Sequence, residues 1–198
     1  AKEDGGAALY AMSLPYVLRC DSPDDVPREI APAWLVSLHR MRPMGGPLTV
    51  GVCWKGSAAG WHDFERSYTY EQFAPIWESH PDVHFVNLCH DVDVPVDAPF
   101  AKATFTDAYH TGECIAACDL VVTVDTAIAH MAGSMGVTTL CLVPTVADWR
   151  YDWPKGKGTP WYRSVSVLRR PNAYSLAAIN TATALLGQLS ASLHRAVA

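Results

Sequence analysis

One stretch, LVVTVDTAIAHMAGSMG at 120–136, constrains this chain more than any other. Leu120, Val121, Val122, Thr123 and Val124 form a β-branched apolar run of the length of one buried strand. A turn follows at Asp125, Thr126 and Ala127. Then comes a helical pattern with Ile128, Met131, Ala132 and Met135 on one face, ended by Gly136. Asp125 and Thr126 therefore stand where the carboxyl end of a strand meets the amino end of a helix. In open α/β sheets ligands bind in that crevice. A helix amino end offers unpaired N–H groups and partial positive charge, which suit phosphate. Thr126 adds a hydroxyl, and His130 lies one turn further along the same face. Together these groups are suited to a diphosphate. A plainer reading stands beside this one. Asp or Thr before a helix commonly serves only as an N-cap, and a histidine on a half-apolar helix is commonly a packed, hydrogen-bonded residue.

The same alternation runs along most of the chain. Strands are expected at 49–54, 84–89, 120–124, 138–143 and 164–168. The segment 55–67 reads as a long polar loop with Gly56, Ser57 and Gly60. Thr69 and Gln72 have the spacing of a capping box, opening a helix to about Ser79 in which Pro75 either kinks the helix or moves its start. Residues 91–105 read as irregular, with Pro95 and Pro99 and room for one short edge strand. A helix is expected at 109–118. The segment 144–162 is a long loop carrying Trp149, Tyr151, Trp153, Trp161 and Tyr162. A closing helix at 175–194 has Leu176, Ile179, Leu185, Leu186 and Leu189 as its apolar stripe. This order implies the α/β class: a Rossmann-like parallel sheet with helices on both faces. Residues 1–47 differ. Ser13, Leu14 and Pro15 begin a short extended segment, 22–25 is a turn, 31–42 a helix and 43–47 a linker. The expected division is a tail and linker at 1–47 and a Rossmann-like domain at 48–198.

Composition removes several classes of function. Hydrophobic residues make up 49% of the 198 and charged residues 18%, enough for a full core and against disorder. A net charge of −5 without a long basic run argues against nucleic acid as a partner. No apolar stretch reaches transmembrane length, and AKEDGGAALY at the start does not read as a signal peptide. A first residue of Ala suggests a processed, trimmed or fragmentary chain. The six cysteines include no C-x-x-C, and Cys53, Cys89 and Cys141 fall in apolar strand-like runs. A reduced, cytoplasmic setting is the expectation. His110, Cys114 and Cys118 share a helical face, but no paired ligand set accompanies them, so no metal is expected. Neither G-x-G-x-x-G, a P-loop nor G-x-S-x-G occurs, and no cofactor is implied.

In a parallel sheet every strand's carboxyl end lies on one edge. The loops after Trp54, Cys89, Val124 and Val143 thus share a rim, which gathers Lys55, Gly56, Ser57 and Arg66 with Asp125, Thr126 and His130, and also Asp148, Trp149 and Arg150. Small residues for close approach, an arginine for bidentate phosphate contact, a helix amino end and aromatic walls make a mixed site. Taken singly, loop cations such as Lys55 and Arg66 are more commonly solvated charges, and the tryptophans read also as staples of a long loop.

These residues also resemble a known family. Gly51-Val52-Cys53-Trp54-Lys55-Gly56-Ser57 is similar to the first strand and glycine loop in the nucleotide-sugar half of heptosyltransferase-like glycosyltransferases of family 9. Asp125-Thr126-Ala127-Ile128-Ala129-His130-Met131-Ala132-Gly133 matches that family's D-T-x-x-x-H-x-x-G signature. Arg66-Ser67 matches a basic residue followed by a small or aromatic one. Asp148-Trp149-Arg150, Pro160-Trp161-Tyr162 and Ser13-Leu14-Pro15 resemble segments of the bacterial tetratricopeptide-linked branch. The likeness runs from about Ser13 to Leu189. It implies the C-terminal, donor-binding domain of a two-domain GT-B glycosyltransferase, and inverting, metal-independent transfer from a nucleotide diphosphate sugar. In that frame Arg66 contacts and stabilises the phosphates. Thr126 and the amides from Ala127 onward cradle them, His130 lies near the diphosphate, and Gly56, Ser57, Ser67 and Asp125 complete the substrate site. Charge growing on the leaving diphosphate would meet preorganised donors.

Departures qualify the match. The acceptor domain, where the family's general base resides, is not represented, so the catalytic base is unknown. Lys55 occupies a position where a small residue is common, and the tetratricopeptide repeats are not present. The expected partners are a nucleotide diphosphate sugar and either a separate N-terminal acceptor domain or a second copy of this chain. A non-catalytic nucleotide-binding or dimerising module is the alternative, and a nucleotide-sugar epimerase of similar fold is a second enzyme reading. Asp91, Thr106 and Tyr109 are candidates for the nucleoside pocket. Sugar, base and acceptor are not readable from the sequence.

Overall fold

The computed structural model describes Ser22 and residues 47–56, 63–90, 92–102, 107–152 and 158–197. Expectations for the tail and linker at 1–47 fall almost wholly outside the described residues, as do Ser57, Asp91 and Thr106.

Six parallel strands form one sheet: β1 (Thr49–Cys53), β2 (His84–Asn87), β3 (Phe100–Lys102), β4 (Leu120–Val124), β5 (Thr138–Val143) and β6 (Val165–Arg169). Their order is β3-β2-β1-β4-β5-β6. The chain builds outward from β1 to β3, then returns to the other side of β1 and builds outward again. The reversal lies between β1 and β4, which pair with Val50 beside Leu120 and Cys53 beside Thr123. Every residue of β1 and β4 is buried, as expected of central strands covered on both faces. This is an α/β, Rossmann-like arrangement, and ligands in such sheets enter at the reversal.

The helices are α1 (Asp63–Arg66), α2 (Tyr70–Phe73), α3 (Pro75–Glu78), α4 (Ala108–Ala116), α5 (Ala127–Met135) and α6 (Ala177–Val197). They form two packing groups. The long α6 lies on α3 and against β5 and β6, whereas α4 lies on α5, which rests on β4 and β5. Thr69 makes the capping box with Gln72. Pro75 does not interrupt a helix but opens α3 at its first turn, where a missing N–H costs nothing. The expected long loop at 55–67 contains the short α1. β3 is the short edge strand.

The stripe expected on α6 is partly displaced. Ile179 and Leu186 are fully buried with Ala178 and Ala182, while Leu189 is 40% exposed, and Leu176, 38% exposed, precedes the helix. The buried face of α6 thus mixes two alanines with Ile179 and Leu186.

Candidate functional site

The amino end of α5 sits at the reversal point. Thr126 is its N-cap residue, in extended backbone, yet its side chain makes no capping hydrogen bond. The Thr126 hydroxyl instead lies 3.3 Å from Thr123 Oγ1 and 3.9 Å from Cys53 Sγ. The plain capping role is thus unfilled, and among the described residues the first amides of α5, beginning with Ala127, have no capping side chain from Thr126. Cys53 in turn donates to the Lys55 carbonyl at 3.5 Å, which ties the β1 loop to the same floor.

Arg66 spans the gap between the two loops. Its Nη1 donates to the Asp125 carbonyl at 3.4 Å, and its Nε to Asp63 Oδ1 at 3.1 Å. Its guanidinium passes over Gly56, where a Cβ would lie 2.8 Å from Nε and Nη2. Any side chain at 56 would push the guanidinium away from the β4 turn. Ser67 completes the brace: its Oγ accepts from the Gly56 amide at 2.9 Å and donates to Asp63 Oδ1 at 2.8 Å. One carboxylate oxygen of Asp63 therefore orients both Arg66 and Ser67.

Asp125 and His130 face a second group, brought in by the loop after β5. Burial pushes the Asp125 acid above its ordinary range. The charges of His130, Arg150 and Arg66 oppose that shift, and Asp148 reinforces it. His130 is held below its ordinary value, chiefly by burial and then by the Arg150 charge. Its Nδ1 lies 3.1 Å from the Tyr162 hydroxyl and its Nε2 3.4 Å from the Tyr151 hydroxyl. The ring stacks on Tyr151, with centroids 5.7 Å apart. His130 thus has the packed, hydrogen-bonded character of the plainer reading, while its position beside Asp125 keeps it in the site. Gly133 makes this possible, because a Cβ there would lie 2.5 Å from Tyr162 Cγ. Asp148 Oδ1 accepts from the Arg150 amide at 3.0 Å and from its Nε at 2.8 Å, which fixes the Trp149–Tyr151 turn. Trp149 packs edge-on to Trp161 and keeps 37% exposure.

The structure therefore brings together Gly56, Arg66, Ser67, Asp125, Thr126, Ala127 and His130, with Asp148 and Arg150 beside them. Tyr109 is exposed near the start of α4, edge-on to His110. Sequence reasoning missed Asp63 as the brace of Arg66. It also missed the pairing of Tyr151 and Tyr162 with His130. Asp63 stands three residues before Arg66, the helical pairing distance, and that spacing was the available signal. No group of three His, Cys, Asp or Glu suited to a metal occurs among the described residues. His110 pairs with Asp107, and Cys118 donates to the Cys114 carbonyl. No helix among the described residues is long and apolar enough to cross a membrane.

The arrangement can hold an anion by an arginine and by backbone amides at a helix amino end, on a floor of small hydroxyl and thiol groups. Searches against family models, curated proteins and solved structures found no match to this chain.

Proposed function

We propose that this chain is the donor-binding domain of a GT-B, heptosyltransferase-like glycosyltransferase, and that its rim binds a nucleotide diphosphate sugar. One observation carries the reading: an uncapped helix amino end at the strand-order reversal faces Arg66, itself braced between Gly56 and Asp125. The D-T-x-x-x-H-x-x-G match and the order of the other similar segments support the sugar-transfer class over other diphosphate ligands. The diphosphate would rest on the amides from Ala127 and on the Arg66 guanidinium, which stabilise the charge that grows as the glycosidic bond breaks. Turnover further requires a general base from an acceptor-binding domain, so this chain alone should bind without appreciable transfer.

Thermal unfolding with ADP, UDP, GDP and AMP, with and without magnesium, tests the reading. A diphosphate at about 100 times its Kd adds about 2.7 kcal/mol of stability. The expected result is a shift with one diphosphate, a smaller one with its monophosphate, and no dependence on magnesium. Arg66→Ala should weaken that binding by about 1.5–3 kcal/mol, the worth of a hydrogen bond to a charged group. If no nucleotide shifts the transition while the chain dimerises with concentration, the interaction-module reading takes its place.

A further inference from the structure

Arg170 follows β6 and is 2% exposed. Its backbone is pinned on both sides: its amide donates to the Val143 carbonyl at 2.9 Å, and its carbonyl accepts from Thr145 Oγ1 at 2.9 Å. The side chain reaches about a hundred residues back along the chain. Nη1 donates to the Glu65 carbonyl at 2.7 Å and to the Ser67 carbonyl at 3.3 Å. Cζ lies 3.9 Å from the centre of the Tyr68 ring. Nε is buried without a hydrogen-bond partner. No carboxylate forms an ion pair with Arg170 among the described residues.

A buried cation without a counter-ion is an expensive way to fill space, and an apolar residue of like volume would commonly do as well. What Arg170 touches explains the choice. The two carbonyls belong to the residues on either side of Arg66. The short helix that carries Arg66, α1, has four residues and buries none of them. A helix of one turn does not persist by backbone bonds alone, and α1 has no buried side chain to anchor it. Beside the Arg66 bond to the Asp125 carbonyl and the Gly56 bond to Ser67, α1 is tied to the domain through the Arg170 guanidinium and through Tyr68, which packs beneath that guanidinium.

We propose that Arg170 is a positioning residue: it clamps the carbonyls flanking Arg66 from below and so holds the Arg66 guanidinium over Gly56, in the place where it meets a diphosphate. The clamp is a property of the chain. Its effect on ligand rests on the donor-binding function proposed above.

The experiment compares Arg170→Gln, Arg170→Lys, Arg66→Ala and the double variant Arg66→Ala/Arg170→Gln in the whole chain. Amide hydrogen exchange is measured without ligand, and titration calorimetry with ADP, UDP, GDP and the matching nucleosides. In Arg170→Gln the amides of Gly56, Ser67 and Tyr68 should exchange roughly tenfold faster while those of β4 stay unchanged, a local opening and not a global one. Diphosphate Kd should rise by about tenfold, the scale of coupling within one hydrogen-bond network, and nucleoside Kd should not move. In the Arg66→Ala background the same substitution should change diphosphate Kd little, because the residue it positions is gone. Arg170→Lys, which keeps a cation and a donor but not the planar fork, should fall between. It carries the test if Arg170→Gln loses the fold. Unchanged exchange at Ser67 overturns the inference, as does an equal loss of affinity with and without Arg66. Faster exchange at Ser67 in a chain whose unsubstituted form binds no diphosphate overturns the proposed function and leaves the clamp standing.

Discussion

Two groups of aromatic rings occupy this domain, and they use the same chemistry for different ends. Trp54, Tyr70, Phe73, Trp77 and Phe100 join the end of β1 to α2, α3 and β3, with ring centroids between 4.8 and 6.3 Å apart. Most of their contacts are tilted or edge-on, the geometry that ring quadrupoles favour. They belong to the main core, and their value is buried area. Tyr151 and Tyr162 lie at the other group, against the smaller core cluster under the loop after β5. There the hydroxyls matter, because they engage both nitrogens of His130. Burial raises the pKa of both phenols, and a neutral imidazole donates through one nitrogen and accepts through the other, so one hydroxyl accepts from His130 while the other donates to it. Aromatic content alone thus says little about a region. The decisive questions are whether the polar tips find titratable partners and whether a small residue, here Gly133, lets a ring approach.

The largest test of this contrast is Trp77→Ala. Trp77 is 4% exposed and touches four rings of the first group. Its truncation should cost about 3–5 kcal/mol in urea unfolding, as for other buried aromatics. Ligand affinity of the fraction that remains folded should be unchanged. A large fall in affinity would mean that the two groups are mechanically joined and the contrast is false.

Gly133→Ala should do the reverse. The added methyl meets the Cβ and Cγ of Tyr162 and not a flexible tip, so either backbone or ring must move. Overpacking of this kind costs about 1–3 kcal/mol, and Tyr162 should leave His130. The readout is the imidazole signals of His130 by NMR, which should shift while those of the buried His80 do not. Tyr162→Phe is the gentler version. It keeps the ring and removes one hydrogen bond, worth about 1 kcal/mol net. Its effect should again be confined to the His130 signals.

The contrast also separates what the sequence disclosed from what it did not. β4 and β5 were legible to the residue, because β-branched runs ended by Asp125 and by Pro144 leave little choice of boundary. The capping box at Thr69 was legible for the same local reason. The shared rim of strand carboxyl ends followed from alternation alone, and with it the gathering of Gly56, Arg66, Asp125 and Thr126, whereas the strand order and its reversal between β1 and β4 came only with the fold. Contacts between distant residues were not legible. His130 and Tyr162 are 32 positions apart, and nothing local distinguishes Tyr162 from the other aromatics of that loop. Arg170, a cation before Pro171, was not legible as a buried residue in the sequence, and only the fold buries it. α1 was hidden in the polar loop because it has no apolar face.

The smallest effect concerns pH, and it asks whether Asp125 serves the fold or the site. Burial raises the folded Asp125 pKa above its ordinary value of 3.8. The folded chain therefore holds that proton more tightly than the unfolded chain does. The stability this brings is complete below 3.8 and is lost as pH rises through the folded value. At neutral pH the ionised, partly desolvated carboxylate weighs against folding. Asp125→Asn should accordingly be more stable than the parent at pH 7 in urea unfolding, and the gain should shrink on acidification through that window. His130 has the opposite sign. Its folded pKa lies below 6.5, so its contribution is complete above 6.5 and is lost as pH falls through the folded value. The parent should lose stability on acidification from pH 7, and His130→Gln should flatten that slope. A carboxylate kept at a cost to stability points to a use elsewhere, the usual trade at binding and catalytic sites. If Asp125→Asn instead destabilises at pH 7, Asp125 belongs with the rings of Trp54 and Trp77 as part of what holds the domain together.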